Sequence, residues 1–228
     1  MTLALFDLDN TLLADDSDKL WGEFLEHKRI VDPTTHREQN ERFHRDYERG
    51  ELDIEAFLRF ALKPLADNDP SDLDRWRAEF LRDWIEPVIA PASSKLIQHH
   101  RNQGHTLVII TATNRFLTEP IAERLGIPHL LATEPEVQAG CFTGNYTGTP
   151  TFREGKITVL DQWRHQHGES LLASTFYSDS INDLPLLQAV DHPVVVDPDP
   201  QLSAVASRSG WPRLTLRAAA TPQPSTQT

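Results

Sequence analysis

The sequence predicts an α/β protein: a doubly wound, mostly parallel sheet interrupted by an inserted helical bundle. Three observations carry this reading. Leu3-Ala4-Leu5-Phe6 is a continuous apolar run near the start, the pattern of a parallel strand buried on both faces. From Asp15 to Glu86 only helical periodicity is present, with no strand-like run of β-branched residues. Beyond Pro91, short apolar runs alternate with helical stretches, the alternation that builds a parallel sheet.

The elements follow in order. Leu20, Trp21, Phe24 and Leu25 form one apolar stripe, and Ile54, Phe57, Leu58, Ala61 and Leu62 form a second at i, i+3, i+4, i+7 and i+8. Leu73, Trp76, Phe80 and Trp84 form a third. Asp32-Pro33 and Asp69-Pro70 each set a cap residue before a proline tolerated in the first turn, and Ser71 with Asp74 is an alternative start for the third stripe. Pro87 and Pro91 end the last helix. About four helices over 15–87 therefore form a cap between the first two sheet strands. The core resumes with a helix over Ser93–Asn102 ended by Gly104, a buried strand over Thr106–Ile110, and a helix over Leu117–Leu125 closed by Gly126. A short strand over His129–Ala132 follows. Gly140, Gly144 and Gly148 interrupt an alternating stretch between Glu134 and Thr149, which predicts a hairpin flap. Helix over Lys156–His167, strand over Thr175–Tyr177, helix over Ile181–Ala189 and strand over Pro193–Val196 complete a Rossmann-like core made of 1–14 and 88–217. Residues 218–228 carry no charged side chain and are rich in Ala, Thr, Pro and Gln, so a disordered tail is expected.

Composition excludes several function classes. A chain of 228 residues with 39% hydrophobic and 25% charged residues can bury a sizeable core, and no apolar stretch approaches the ~20 residues that span a bilayer. The opening residues lack the pattern of a secretory leader. Cys141 is the only cysteine, so no internal disulfide forms and a reducing compartment is expected. A net charge of −12 argues against nucleic acid or an anionic membrane as partner. The expectation is a soluble cytoplasmic protein, monomer or homodimer. The ten histidines are scattered without an H-E-x-x-H run, which disfavours zinc, and His99-His100 reads as helix surface.

Chemistry collects at the strand ends. Asp7 and Asp9 close the first strand, Thr111-Ala112-Thr113 closes the second, and Ser178-Asp179-Ser180-Ile181-Asn182-Asp183 closes a later one. Lys156 opens a helix just after Gly155. In a parallel sheet these ends converge on one edge. Neighbouring carboxylates resist ionising together and call for a cation or a shared proton. Oxygen-rich sites of this kind suit Mg²⁺. Carboxylates, a hydroxyl, free N–H groups at a helix start and one ammonium are what a phosphoryl group with Mg²⁺ requires.

Asp7-x-Asp9-x-Thr11, the strand ending in Thr111, Lys156, and Asp179-x-x-Asn182-Asp183 resemble the four motifs of haloacid-dehalogenase-like phosphohydrolases. The helical insertion resembles the cap of the phosphoserine-phosphatase branch. The runs Phe6–Leu13, Ile110–Asn114, Phe152–Lys156 and Tyr177–Ser180 resemble bacterial histidinol-phosphatases of this type, with Ser178 where many relatives have glycine. The resemblance implies Asp7 as nucleophile and Asp9 as general acid and base. It implies Mg²⁺ held by Asp7, the backbone carbonyl of Asp9, and Asp179. Thr111, the Ala112 N–H, Lys156 and Asn182 would bind phosphate, with Asp183 in support. Asp16, seven residues after Asp9, stands where phosphoserine phosphatases carry a glutamate that meets the substrate ammonium. Trp21 is a candidate for the substrate wall. The implied substrate is a small phosphorylated amino alcohol. L-histidinol phosphate ranks first, because its imidazole favours acidic or aromatic surroundings such as Asp15, Asp18 and Trp21. Phosphoserine ranks second, with Arg42, Arg45 and Arg49 as possible carboxylate partners. A receiver-like signalling module and a phosphotransfer mutase share this chemistry, but receivers have no helical insertion after the first strand.

Overall fold

The computed structural model describes residues 2–217, so the expected tail at 218–228 lies outside the described residues. Seven strands form one sheet: β1 (Leu3–Phe6), β2 (Thr106–Asn114), β3 (His129–Gln138), β4 (Cys141–Thr147), β5 (Thr175–Ser178), β6 (His192–Val196) and β7 (Arg213–Leu214). Their order is β4-β3-β2-β1-β5-β6-β7, parallel throughout except for β4. Phe6 is in register with Ile109 on one side and Tyr177 on the other, so the residues that follow these three positions share one edge, with β2 running on to Asn114. The chain leaves β1 in one direction to β2 and later returns on the other side as β5. That reversal opens a crevice at their carboxyl ends.

Strand alternation sorts the core into two layers. Ala4, Phe6, Leu107, Ile109 and Tyr177 pack under α5 (Ser93–Asn102) and α6 (Arg115–Leu125). Leu3, Leu5, Val108, Ile110 and Phe176 pack under α7 (Glu154–His167), α8 (Leu184–Ala189) and α9 (Pro200–Ser209).

Four helices occupy the insertion: α1 (Ser17–His27), α2 (Pro33–Glu48), α3 (Ile54–Ala66) and α4 (Pro70–Phe80), which runs on helically to Val88. The three stripes lie on α1, α3 and α4, and Asp16, Asp32 and Asp53 cap α1, α2 and α3 with side-chain acceptors. Most buried apolar residues of the insertion share one cluster with the sheet, while Phe43 and Leu52 form a smaller one with Phe152. Trp21 meets Phe24 at 5.2 Å, Phe80 at 5.1 Å and Phe116 of α6 at 6.0 Å between ring centroids, in the same apolar cluster as Phe6. The two chain crossings run side by side as a narrow neck. Leu13 bridges Ile89 in antiparallel fashion, the Ala14 N–H donates to the Val88 carbonyl at 2.6 Å, and the Ala90 N–H donates to the Leu12 carbonyl at 3.0 Å.

Several elements differ from expectation. The strand at His129 does not stop at Ala132 but runs on as one arm of the hairpin, which turns at Ala139 and Gly140, both at positive φ. Between Ile181 and α8 only a single tight turn forms, because Pro185 falls in the first turn of α8. α9 and β7 were not anticipated, although Asp199-Pro200 repeats the signature at Asp32-Pro33, and Asp199 caps Gln201 and Leu202. His100 is buried rather than on the surface, bonded to the Tyr177 hydroxyl and to His105, both at 2.8 Å. Among the described residues no helix is long and apolar enough to cross a membrane.

Candidate active site

The cavity of interest lies between the carboxyl ends of β1 and β2 and the insertion. Asp7, Asp9, Thr111, Ala112, Thr113, Lys156 and Asp183 line one side, and Asp16, Asp18, Asn40, Phe43, His44, Tyr47 and Phe57 line the other.

Asp7 is the first residue past β1, held by its N–H on the Tyr177 carbonyl at 2.9 Å. The chain then folds into a compact turn through Asn10, at φ 55, a conformation asparagine tolerates. This turn brings the Thr11 hydroxyl within 3.4 Å of Asp7 and 3.1 Å of Asp179, while the Asp179 N–H donates to the same oxygen at 3.1 Å. Lys156 donates to Asp7 at 2.7 Å and to Asp183 at 2.8 Å, and Ser178 also donates to Asp183, at 2.7 Å. All three ionic partners are nearly fully buried. Lys156 is delivered there by a close backbone approach, because a Cβ on Gly155 would lie 2.0 Å from the Pro150 carbonyl oxygen.

The Asp7 carboxyl is raised to about 7, because burial and then Asp183 and Asp9 push it up by more than Lys156 pulls it down. Burial, then Asp7 and Asp183, hold Asp179 well above the carboxylate range. Burial alone would lower Lys156, but Asp183 and Asp7 outweigh it and its ammonium is held upward of the usual value. One ammonium therefore serves an excess of carboxylates, and a cation between Asp7 and Asp179 would relieve the remainder. Among the described residues no three His, Cys, Asp or Glu side chains converge as a ready-made cage. Asp7 and Asp179, both within reach of the Thr11 hydroxyl, offer two carboxylates, and Mg²⁺ binds through one or two carboxylates and takes waters and phosphate oxygens for the rest. Asp7, Asp179 and the Asp9 carbonyl are the donors that could hold it.

Asp9 bridges sheet and insertion. One oxygen accepts from the Ser17 N–H at 2.7 Å and the Ser17 hydroxyl at 2.5 Å. The other accepts from the Thr113 hydroxyl at 2.9 Å and the Thr111 hydroxyl at 3.3 Å. Asp16 caps α1 through the Lys19 N–H at 3.0 Å, and burial together with Asp9 pushes it up to about 6. Asp18 is also held well above the carboxylate range by burial, Asp16 and Asp9. Asp15 is outside the cavity wall, half-exposed beside Lys19 at 3.5 Å.

Other sequence candidates fall elsewhere. Trp21 is packed in the aromatic cluster at 3% exposure and does not reach the cavity, since its position on α1 faces the core. Asn182 sits beside the cavity rather than on its wall, donating to the Tyr47 carbonyl at 3.0 Å and accepting from Arg153 at 3.1 Å. Arg42, Arg45 and Arg49 are likewise absent from the wall. Sequence reasoning missed Asn40, Phe43, His44 and Tyr47, whose spacing marks one face of α2. Tyr47 stands among the sheet-edge carboxylates; burial, Asp179, Asp7 and Asp183 hold its phenol well above 10.

The family model of haloacid dehalogenase-like hydrolases matches residues 4–188. A histidinol-phosphatase of Neisseria meningitidis serogroup C is 45% identical over 219 residues, covering 94% of this chain and 99% of that protein. The crystal structure of a Bordetella pertussis protein of unknown function superposes with a TM-score of 0.88 at 43% identity, over 95% of this chain and all of the other. A substrate-bound phosphoserine phosphatase superposes with a TM-score of 0.68 at 18% identity, over 96% and 93% of the two chains, a likeness of fold.

Proposed function

This chain belongs to the haloacid dehalogenase-like hydrolases and is a phosphoric monoester hydrolase, and on that premise we propose that it is a Mg²⁺-dependent phosphatase of L-histidinol phosphate. In this reading an Asp7 oxygen attacks phosphorus, the bond to the substrate alcohol breaks, and Asp9 gives the leaving oxygen its proton. Water then attacks the aspartyl-phosphate, Asp9 takes the water's proton, and inorganic phosphate leaves with Asp7 restored. When bound, Mg²⁺ supplies positive charge to the phosphoryl oxygens. Lys156, Thr111 and the Ala112 N–H hold those oxygens, Asp183 steadies Lys156, and Asn182 steadies the edge of the site. Asp9 needs to exchange one of its hydrogen bonds to Thr113 or Ser17 for the leaving oxygen, which ties its action to the first helix of the insertion.

The observation that carries the substrate is the composition of the wall facing the phosphate end. Asp16 and Asp18 lie there with Phe43, His44 and Phe57, and among the described residues no arginine lines the cavity. Phosphoserine carries a carboxylate that needs a cation. Lys156 already serves Asp7 and Asp183, and Lys19 sits 3.5 Å from both Asp15 and Glu23. Histidinol phosphate shares the ammonium but carries an imidazole in place of that carboxylate, and the two together suit paired carboxylates and aromatic rings. The 45% identity to a histidinol-phosphatase points the same way. The test compares kcat/KM on L-histidinol phosphate and phosphoserine with Mg²⁺ present. A tenfold preference for phosphoserine, about 1.4 kcal/mol of transition-state binding, overturns the assignment.

A further inference from the structure

The face of α2 that enters the cavity carries Asn40, Phe43, His44 and Tyr47, and the helix ends over the sheet-edge loops. Three carbonyls at that end accept hydrogen bonds from core side chains. The Tyr47 carbonyl takes one from Asn182 Nδ2 at 3.0 Å, the Glu48 carbonyl one from Gln201 Nε2 at 3.4 Å, and the Gly50 carbonyl one from Arg153 Nη2. Arg153 Nε also donates to Asn182 Oδ1 at 3.1 Å, so the guanidinium serves two acceptors on two different elements. A helix leaves its last carbonyls without partners and favours a cation beside them. A planar guanidinium meets two acceptors at fixed angles, which an ammonium does not.

Arg153 is otherwise an awkward residue. It sits at φ 50 directly before α7, three residues ahead of Lys156, with its guanidinium 4.9 Å from the Phe152 ring. Backbone in that region costs a non-glycine residue about 1 kcal/mol or more. The side chain gives the position its purpose. Lys156 and Asp183 meet the phosphate end, and Arg153 and Asn182 stand beside them on the same two segments, reaching the other way to the end of α2.

We propose that Arg153 is a positioning residue: with Asn182 it fastens the C-terminal end of α2 to the phosphate-binding segments, and so sets where the substrate-facing side chains of α2 stand relative to phosphorus. The consequence for histidinol phosphate rests on the substrate reading above; the fastening itself does not. Backbone hydrogen exchange over residues 43–50 and kcat/KM are measured for Arg153→Met, which keeps an unbranched apolar stem and removes both donors. Exchange is expected to rise in the last two turns of α2 while the sheet stays protected. On L-histidinol phosphate kcat/KM is expected to fall about tenfold or more, mostly through KM, and on 4-nitrophenyl phosphate to stay within about threefold. Arg153→Lys, which reaches one acceptor, is expected to fall between the two, and it carries the test if the methionine variant does not fold. Unchanged exchange over 43–50, or an equal loss on both substrates, overturns the proposal. A wild type indifferent to histidinol phosphate removes the substrate reading and leaves the exchange result to judge the fastening.

Discussion

Asp7, Asp16 and Asp179 each hold a proton more tightly in the folded protein than a free carboxyl would, the first to about 7 and the second to about 6. An acid raised in this way stays protonated in the fold where the unfolded chain has already released its proton. Without a divalent cation, stability is therefore fully present below about pH 4 as far as these groups are concerned, and falls as pH rises toward 7. A cation held between Asp7 and Asp179 restores it where they are ionised. Thermal melts with and without Mg²⁺ are expected to show a larger rise in Tm at pH 8 than at pH 5, by ~2–4 °C for each kcal/mol of relief. Equal shifts at the two pH values would mean that the ion sits elsewhere. Asp7→Asn is expected to abolish phosphate release and, in metal-free buffer at pH 8, to melt higher than wild type; near wild-type turnover would remove Asp7 as nucleophile. Asp18→Asn is expected to lower kcat/KM on histidinol phosphate by ~10–100-fold, the loss of one charge-assisted hydrogen bond, and to leave aryl phosphate hydrolysis largely intact. Asp7, Asp9, Thr111 and Asp179 were legible because each sits towards or just past the end of a strand, and parallel strands send their ends to one edge; Lys156 was legible as the residue that opens a helix after Gly155. The side chains of α2 were not, because spacing marks a helical face without saying what that face meets. Trp21 shows the reverse error: nearness in sequence to Asp9 suggested the cavity, while helical phase turned it into the core.

At the level of elements, caps and stripes located most helices closely, α5 to the residue. What failed were short or bent pieces. β7 is two residues long and has no periodicity to read, and β3 passes from parallel pairing with β2 to antiparallel pairing with β4 without a break. Gly155 was noted only as the residue before Lys156, yet the start of α7 depends on its missing side chain. The obstacle is a backbone oxygen that cannot swing aside. Gly155→Ala is therefore expected to cost about 1–3 kcal/mol, as overpacking does, and to move Lys156 off Asp7. Melting and turnover check both effects; an alanine variant with wild-type Tm and activity would show that the loop before α7 shifts freely.

For the molecule as a whole, the sequence divides the chain into a core and an inserted cap, and Trp21, Phe24, Phe80 and Phe116 make one aromatic body across that boundary. Unfolding is accordingly expected as one transition, with tryptophan fluorescence from Trp21, Trp76 and Trp84 coinciding with far-UV circular dichroism. Two separated midpoints would show the insertion to be an independent unit. The central place of β1 also bears on how the protein is made. Asp7 leaves the ribosome well ahead of its partners: its lysine follows 149 residues later, and the aspartate that Thr11 reaches lies 168 residues along from that threonine. Contacts of such span are the slowest to close. A nascent chain thus carries Asp7 long before it has anything to ionise or aim it, and the site is assembled only once Asp183 has left the ribosome.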